Sequence, residues 1–166
     1  MHVSELHYKA QSDSEIESLL SLFIHSYSEE DFMASREIVD IPALRKILTH
    51  ADLIHFIAYE EKVPVGYCQV IHKAHSINFN SGAKINALSV LPSKRGQGIG
   101  TLLLTEAIRT LQNTPKVQNI YLDVAKSNMT AIKLYKKLGF LKVGELKNLF
   151  TKNDILIDIE TYSLNK

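Results

Sequence analysis

The order of apolar and polar residues along the chain predicts a mixture of helices and strands. Apolar residues recur every three or four positions in four segments, which predicts helices over about 13–27, 40–48, 101–112 and 128–138. Runs rich in Ile, Val, Leu and Phe predict strands over 3–10, 53–59, 65–72, 85–90, 119–125, 140–150 and 155–164. The order is therefore strand, two helices, three strands, helix, strand, helix and two strands.

Capping residues mark several of the predicted helix ends. Ser12 and Glu15 have the spacing of a capping box, which predicts that the first helix begins after Ser12. Asp40 can cap the second helix, and Gly139 is suited to a left-handed cap after the fourth. The third helix is predicted to turn one apolar side inward. The residues on this apolar side are Ile99, Leu102, Leu103, Ala107, Ile108 and Leu111.

The candidate chemistry lies in a glycine-rich turn between the fourth strand and the third helix. Gly96, Gly98 and Gly100 follow the basic pair Lys94 and Arg95. Glycine lets the backbone approach a ligand closely, and unpaired N–H groups at the start of a helix favour an anion. The turn therefore predicts binding of a diphosphate by main-chain amides, with the two basic residues adding positive charge.

Three phosphate-binding patterns compete for this turn. A dinucleotide fingerprint requires glycine at position 101, where this chain has Thr101. A triphosphate loop requires Gly-Lys-[Ser/Thr] at its end, whereas here the last glycine is followed by Thr101 and Leu102. The pattern [Arg/Gln]-x-x-Gly-x-[Gly/Ala] is met by Arg95, Gly98 and Gly100. The last pattern is therefore the one that fits.

The chain resembles the GNAT superfamily of acetyl-CoA-dependent N-acetyltransferases in three motifs. They are this turn, Asn128-x-x-Ala131 and the segment from Tyr135 to Gly139-Phe140. The resemblance covers about residues 84–140. It implies a single α/β (α+β) domain over 1–166, with a mixed, mostly antiparallel sheet of six to seven strands flanked by four helices. It also implies a splayed parallel strand pair at the coenzyme site, and the strand–helix–strand order over 85–125 agrees with such a pair.

The resemblance also implies which residues bind acetyl-CoA. Main-chain groups of Leu88 and Val90 would bind the pantetheine arm, and the glycine turn would bind the pyrophosphate. Asn128 would lie near the coenzyme arm, although its simpler role is to cap the fourth helix. The full set is Leu88, Ser89, Val90, Arg95, Gly96, Gln97, Gly98, Ile99, Gly100, Thr101, Asn128 and Tyr135.

Tyr135 is the candidate catalytic residue. It lies on the apolar side of its predicted helix, so the simpler interpretation is a core tyrosine whose hydroxyl finds a partner. By resemblance, the hydroxyl would protonate the departing thiolate. A phenol with a pKa of about 10 and a thiol with a pKa of about 8.5 exchange a proton at little cost.

No general base is evident in the sequence. Many members of the family have a glutamate on the strand before the loop, where this chain has Ala87. His72 and His75 are candidates because imidazole titrates near neutral pH, although solvated strand ends are the simpler interpretation. A water chain or a substrate group would otherwise remove the proton of the amine. Cys68 is interpreted as a small buried side chain rather than an acetyl carrier.

Composition narrows the possible partners. The 166 residues carry a formal charge of +1, which gives no general case for nucleic-acid binding. One cysteine excludes an internal disulfide, and the chain shows neither a signal-peptide pattern nor a run of about 18–20 apolar residues. We therefore expect a cytoplasmic monomer or homodimer that needs no metal and has neither a membrane nor a nucleic acid as partner.

The acceptor of the acetyl group is expected to be a small-molecule amine or a protein amine. The first two helices, the loop over 73–82 and the last two strands would bind it, and the acidic segment Glu29-Glu30-Asp31 favours a cationic acceptor. Two rival functions remain: a module that senses acyl-CoA without catalysis, and a nucleotide-binding protein. The missing glutamate at Ala87 favours the first rival, whereas the retained Tyr135 argues against it.

Overall fold

A computed structural model describes residues 1–5, 12–26, 40–72, 82–152 and 154–165. The helices are α1 (Asp13–Ser26), α2 (Ile41–Leu48), α3 (Ile99–Gln112) and α4 (Met129–Lys137), and one 3-10 turn spans Pro92–Lys94. The strands are β1 (His2–Glu5), β2 (Leu53–Glu60), β3 (Val63–Ile71), β4 (Gly82–Val90), β5 (Asn119–Ala125), β6 (Leu141–Lys152) and β7 (Ile155–Asn165). The element order agrees with the one predicted from the sequence.

The described strands form one seven-stranded sheet in the order β1-β2-β3-β4-β5-β7-β6. β4 and β5 pair in parallel, and the other neighbouring strands pair antiparallel. The prediction of a mixed, mostly antiparallel sheet with four helices is confirmed for this part of the chain.

The parallel pair of β4 and β5 is hydrogen-bonded at one end only. Its register runs from Gly82 opposite Asn119 to Ile85 opposite Leu122, and no pairing between the two strands continues beyond this point. We call these paired segments the closed end. The open end consists of residues 86–90 of β4 and 123–125 of β5, where each strand is paired only on its other side. This arrangement is the splayed pair that the sequence predicted.

A β-bulge marks the boundary between the two ends of β4. Opposite β3, Ile85 pairs with Val70 and Ala87 pairs with Gln69, so that Asn86 is the extra residue. A bulge bends its strand and increases the local twist, which turns β4 away from β5. The bulge therefore accounts for the end of the parallel ladder immediately after Ile85.

Two apolar clusters cover the two faces of the sheet. The larger contains the buried sides of α3 and α4, and the smaller contains α1 and α2. The predicted inward side of α3 is wrong in one detail, because Leu102 is 40% exposed whereas Leu104 is fully buried. The helix is rotated so that Gly100 and Leu104 lie toward the core, and this rotation depends on packing rather than on spacing.

The predicted helix caps are confirmed. The Ser12 N–H donates to Glu15 Oε2 at 2.7 Å, and Asp40 Oδ1 accepts from the Ala43 N–H at 2.8 Å. Gly139 has a φ of +90°, the left-handed conformation expected after α4. The predicted first strand extends to residue 10, and its residues 6–10 lie outside the described residues.

Candidate active site

The glycine turn lies on the surface between β4 and α3. Gly96 and Gly98 have φ values of +76° and +83°, which side chains with a Cβ rarely adopt. A Cβ built at either residue would meet no atom within 4 Å. The two glycines are therefore required by the backbone conformation, and the space beside them is open to a ligand.

The turn offers a row of main-chain N–H groups. Within the described chain, the N–H groups of residues 96–101 donate to no protein acceptor, whereas Leu102 already donates to the Gly98 carbonyl. Several come from the first turn of α3, where the helix dipole adds positive potential. An anionic group such as a phosphate fits this arrangement.

The two basic residues before the turn are held by protein groups. Lys94 forms an ion pair with Glu60. The Arg95 guanidinium donates to the Val90 carbonyl at 3.2 Å and to the Ser26 carbonyl at 2.9 Å. Arg95 therefore fastens the turn to β4 and α1, and the main-chain amides are the groups that the turn presents outward.

Gly100 brings the three parts of the predicted site into contact. A Cβ at this residue would lie 3.3 Å from Leu134 Cδ2 of α4 and 3.9 Å from Leu88 Cδ2 of β4. Distances of this kind leave little room for a larger side chain. The helix after the turn can therefore pack closely against both β4 and α4.

The open end exposes main-chain groups of β4. The Leu91 N–H donates to the Val65 carbonyl of β3 at 3.0 Å. Because main-chain groups alternate between the two edges of a strand, those of Leu88 and Val90 point to the opposite edge, toward the opening. The Val90 carbonyl accepts from Arg95. Within the described residues, the Val90 N–H and both main-chain groups of Leu88 form no strand pairing at this edge. Ser89 differs from these residues, because its buried hydroxyl has no hydrogen-bond partner among the described residues.

Asn128 caps α4, as one of its two predicted roles requires. Its Oδ1 accepts from the Ala131 N–H at 3.0 Å. The residue lies three positions after Ala125, where β5 ends, so α4 begins beside the open end. Its predicted contact with the coenzyme arm stays a prediction.

Tyr135 is 7% exposed and belongs to the larger apolar cluster. Its ring meets that of Phe140 edge to face, with the centroids 6.0 Å apart. The Phe140 N–H also donates to the Tyr135 carbonyl at 3.1 Å. The position of the ring is therefore well defined, and the role of its hydroxyl as an acid stays a prediction.

The candidates for other catalytic roles receive little support. His72 follows Ile71, which pairs with Lys84, so it lies at the closed end. It is buried, and its Nδ1 has no hydrogen-bond partner in the part of the chain that the structure describes. His75 lies outside the described residues. Burial raises the pKa of Cys68 to about 12, which leaves a thiol that is unsuited to nucleophilic attack.

Four polar side chains that the sequence did not single out form a hydrogen-bonded row across β2, β3 and β4. Asn86 Nδ2 donates to Gln69 Oε1 at 2.7 Å, and Gln69 Nε2 donates to the Tyr67 hydroxyl at 3.0 Å. The Tyr67 oxygen lies 2.7 Å from His55 Nδ1. We call these four residues the polar row. The Tyr-x-Gln spacing on β3 is only a weak sequence signal for this row, because His55 and Asn86 come next to it through the sheet register.

The described residues include neither a candidate membrane helix nor a candidate metal site. None of the described helices is long and apolar enough to cross a membrane. Within the described ranges, no group of three or more His, Cys, Asp or Glu side chains is arranged to hold a metal ion. The acidic segment over 29–31 and most of the loop over 73–82 lie outside these ranges.

Comparison with known proteins gives one family and several relatives. The model of the Acetyltransferase (GNAT) family matches residues 16–140. An N-alpha-acetyltransferase of Sulfurisphaera tokodaii is 37% identical over 68 residues, which are 41% of each chain. An aminoglycoside N(6')-acetyltransferase type 1 of Klebsiella pneumoniae is 31% identical over 108 residues, which are 61% of this chain and 54% of that protein. The chain thus matches about two fifths to half of the length of these curated relatives.

A solved structure shares the fold over its full length. The ribosomal-protein-alanine N-acetyltransferase from Brucella melitensis superposes with a TM-score of 0.83 at 20% identity and covers 100% of both chains. At this identity the similarity establishes the fold alone.

Proposed function

Because the chain belongs to the Acetyltransferase (GNAT) family, we propose that it transfers an acetyl group from acetyl-CoA to a primary amine. The observation that carries this proposal is the glycine turn, whose N–H groups over residues 96–101 donate to no acceptor among the described residues. They lie next to a strand edge that is also unpaired. A phosphate-binding turn beside a free strand edge suits a ligand that combines a pyrophosphate with an extended, amide-bearing arm.

The described residues suggest how acetyl-CoA is held. The pyrophosphate would accept hydrogen bonds from the N–H groups of residues 96–101. The pantetheine arm would lie along β4 and bond to Leu88 and to the Val90 N–H, as an added strand does. Asn128, which begins α4 beside the opening, would contact the arm from the β5 side.

The reaction needs one bond to form and one to break. The lone pair of a neutral amine attacks the thioester carbonyl, the C–N bond forms, and the C–S bond breaks as the carbonyl is restored. A main-chain N–H near Leu88 would polarise the carbonyl, and Tyr135 would protonate the departing thiolate. The nitrogen loses one proton to the solvent, since Ala87 supplies no base, and the Tyr135 phenolate regains a proton from the solvent.

The acceptor class is proposed as an amine of either a small molecule or a peptide. The β6–β7 hairpin supports a peptide, because several of its large apolar side chains are exposed and available for contact. They are Leu141, Val143, Leu146, Leu149, Ile155 and Leu156. The names of the relatives include an N-alpha-acetyltransferase and an aminoglycoside N(6')-acetyltransferase, so peptides and small-molecule amines both belong in a screen.

The proposal is tested in two steps. First, thermal unfolding is followed with acetyl-CoA, ATP and NAD in turn, and only acetyl-CoA is expected to raise the melting temperature. Second, peptides with free N-termini, aminoglycosides and simple amines are screened for release of free thiol. A shift with no thiol release from any amine would favour the acyl-CoA-sensing module, and a shift with ATP or NAD alone would reject the proposal.

A further inference from the structure

The polar row crosses the smaller apolar cluster almost without contact with solvent. His55, Tyr67 and Gln69 are 2%, 1% and 7% exposed. A buried polar group that lacks a partner costs about 1–3 kcal/mol, so such a row is tolerated only when its members bond to one another. The same bonds determine how each amide group is turned.

The hydrogen bonds of the row run in one direction. Asn86 donates to Gln69, Gln69 donates to Tyr67, and the Tyr67 hydroxyl can then donate to His55 Nδ1. Burial lowers the pKa of His55 to about 4, and a main-chain contact with Ile47 offsets part of this decrease. The imidazole is therefore neutral at neutral pH, and its Nδ1 can serve as the last acceptor. The proton is then on Nε2, a buried atom that forms no hydrogen bond within the described residues.

Ring contacts hold the inner part of the row in place. The Tyr67 ring meets Phe23 edge to face at 4.4 Å and stacks on His55 at 5.9 Å, measured between centroids. Gln69 is thus bonded to a hydroxyl that has little freedom to move. The hydrogen bond to Tyr67 therefore fixes the amide of Gln69, and the bond between Gln69 and Asn86 fixes the amide of Asn86.

The outer end of the row lies at the open end of the parallel pair. Asn86 is the bulge residue and comes one position after Ile85, the last β4 residue that pairs with β5. Its side-chain nitrogen is committed to Gln69. Its Oδ1, by contrast, receives no hydrogen bond in the described structure, and the residue is half-buried rather than enclosed. The row therefore presents an oriented acceptor oxygen two residues from Leu88.

From this geometry we propose that Asn86 Oδ1 accepts a hydrogen bond from the amine that is to be acetylated. This bond would orient the amine so that the lone pair of its nitrogen points at the thioester carbonyl. Gln69, Tyr67 and His55 are positioning residues that act through Asn86. The inference rests on the proposed acetyl transfer. An amide oxygen is an acceptor and not a base at neutral pH, so it orients the neutral amine, and the proton still leaves to the solvent.

The test measures steady-state kinetics with acetyl-CoA and the best amine from the screen. In Asn86→Ala the acceptor oxygen is lost, and kcat/KM for the amine is expected to fall about 10- to 100-fold. In Gln69→Leu the oxygen remains but is no longer oriented, so a smaller fall of about 3- to 10-fold is expected. The rise in melting temperature caused by acetyl-CoA should be the same in both variants as in the wild type.

A double-mutant cycle separates positioning from general packing. If Gln69 acts through Asn86, the double variant should be no worse in kcat/KM than Asn86→Ala alone. If the two substitutions acted independently, their fold-decreases in kcat/KM would multiply in the double variant. Asn86→Asp keeps the size and an acceptor oxygen, and the Gln69 amide can turn to donate to it, so this variant should restore most of the activity.

Asn119→Ala is the matched control. Asn119 lies on β5 opposite Gly82 at the closed end, and its side chain is also hydrogen-bonded, to Ser163 and Asn165. Its kcat/KM is expected to stay within about twofold of the wild type, because the site is distant from the open end.

The outcomes distinguish this inference from the function on which it rests. Wild-type protein that neither binds acetyl-CoA nor releases thiol would overturn both. Active wild type with an unchanged kcat/KM in folded Asn86→Ala would overturn the role of Asn86 alone. Should Asn86→Ala lose its cooperative unfolding, Gln69→Leu and Asn86→Asp decide, and unchanged kinetics in Gln69→Leu would overturn the positioning role.

Discussion

The closed and open ends of the β4–β5 pair use the same two strands for different purposes. At the closed end, β4 pairs with β5 from Gly82 to Ile85, and Lys84 and Ile85 also pair with β3. At the open end it keeps only β3, and Leu88 and Val90 direct main-chain groups toward the gap. The glycine turn and the start of α4 border this same gap.

The two ends differ in their main-chain groups, which are paired at the closed end and left without a strand partner at the open end. A buried ladder satisfies its own N–H and C=O groups and has nothing to offer a ligand. One extra residue at Asn86 ends the parallel ladder and frees the following groups, and the left-handed glycines do the same for the turn. Five predictions, the kinetics of Asn86 among them, probe the difference between the two ends.

The largest effect is expected at the glycine turn. Gly98→Asp places a side chain and a negative charge in the open space beside the N–H groups. The change should abolish the rise in melting temperature with acetyl-CoA, because the charge repels the pyrophosphate. Thermal unfolding with and without the coenzyme measures it.

Gly98→Asn is the control for this variant. It carries the same backbone strain at a φ of +83°, worth about 1 kcal/mol, without the charge. It should lower the melting temperature of the free protein as much as Asp does but keep part of the coenzyme shift. Equal coenzyme shifts in the wild type and Gly98→Asp would remove the turn from the binding site.

The next effect concerns Tyr135, the candidate general acid on α4. Tyr135→Phe keeps the ring contact with Phe140, so stability should change little. Loss of a general acid is expected to lower kcat by about 10²–10⁴, with coenzyme affinity nearly unchanged. Thiol release, measured as a function of pH for both proteins, checks this. An unchanged kcat would return Tyr135 to a purely structural role.

A smaller effect is expected at the boundary of the two ends. Asp123 bonds to Lys84 at 2.8 Å and to Thr161 at 2.7 Å. Burial opposes its ionisation, but the bonds from Lys84 and Thr161 prevail and keep the pKa of Asp123 below its ordinary value. Asp123→Asn should therefore lower the free energy of unfolding by about 1 kcal/mol at pH 7.

The pH dependence of that difference follows from the sign of the pKa shift. A carboxylate whose pKa is lowered in the folded state contributes stability above its unfolded pKa of about 4, and this contribution is lost as the pH falls. Urea unfolding of both proteins at pH 7 and pH 3 should show a difference that shrinks at the lower pH. A difference that grows in acid would contradict the assignment.

The smallest effect is expected at the closed end. A Cβ at Gly82 would meet the Tyr121 ring at an ordinary distance of 3.5 Å. Gly82→Ala should therefore change neither the coenzyme shift nor kcat. A lost coenzyme shift in this variant would show that the two ends are not separable.

Much of this architecture could be predicted from the sequence. The capping box at Ser12, the cap at Asp40 and the left-handed Gly139 depend on neighbours within a few positions, so local spacing predicts them. The strand over 119–125 was predicted at its observed bounds. The glycine turn could also be recognised, because positive φ values and a helix start leave a signature in consecutive residues.

What tertiary structure alone decided involves residues far apart in the sequence. The rotation of α3 that buries Leu104 and exposes Leu102 depends on how the helix packs against β4 and α4. The hydrogen bond from the Arg95 guanidinium to the Ser26 carbonyl joins positions that are 69 residues apart. The polar row depends on strand register, since a shift of one residue would turn every side chain to the other face of the sheet. Sequence spacing thus determined elements and caps, whereas the partners of each polar group became defined only when the sheet was assembled.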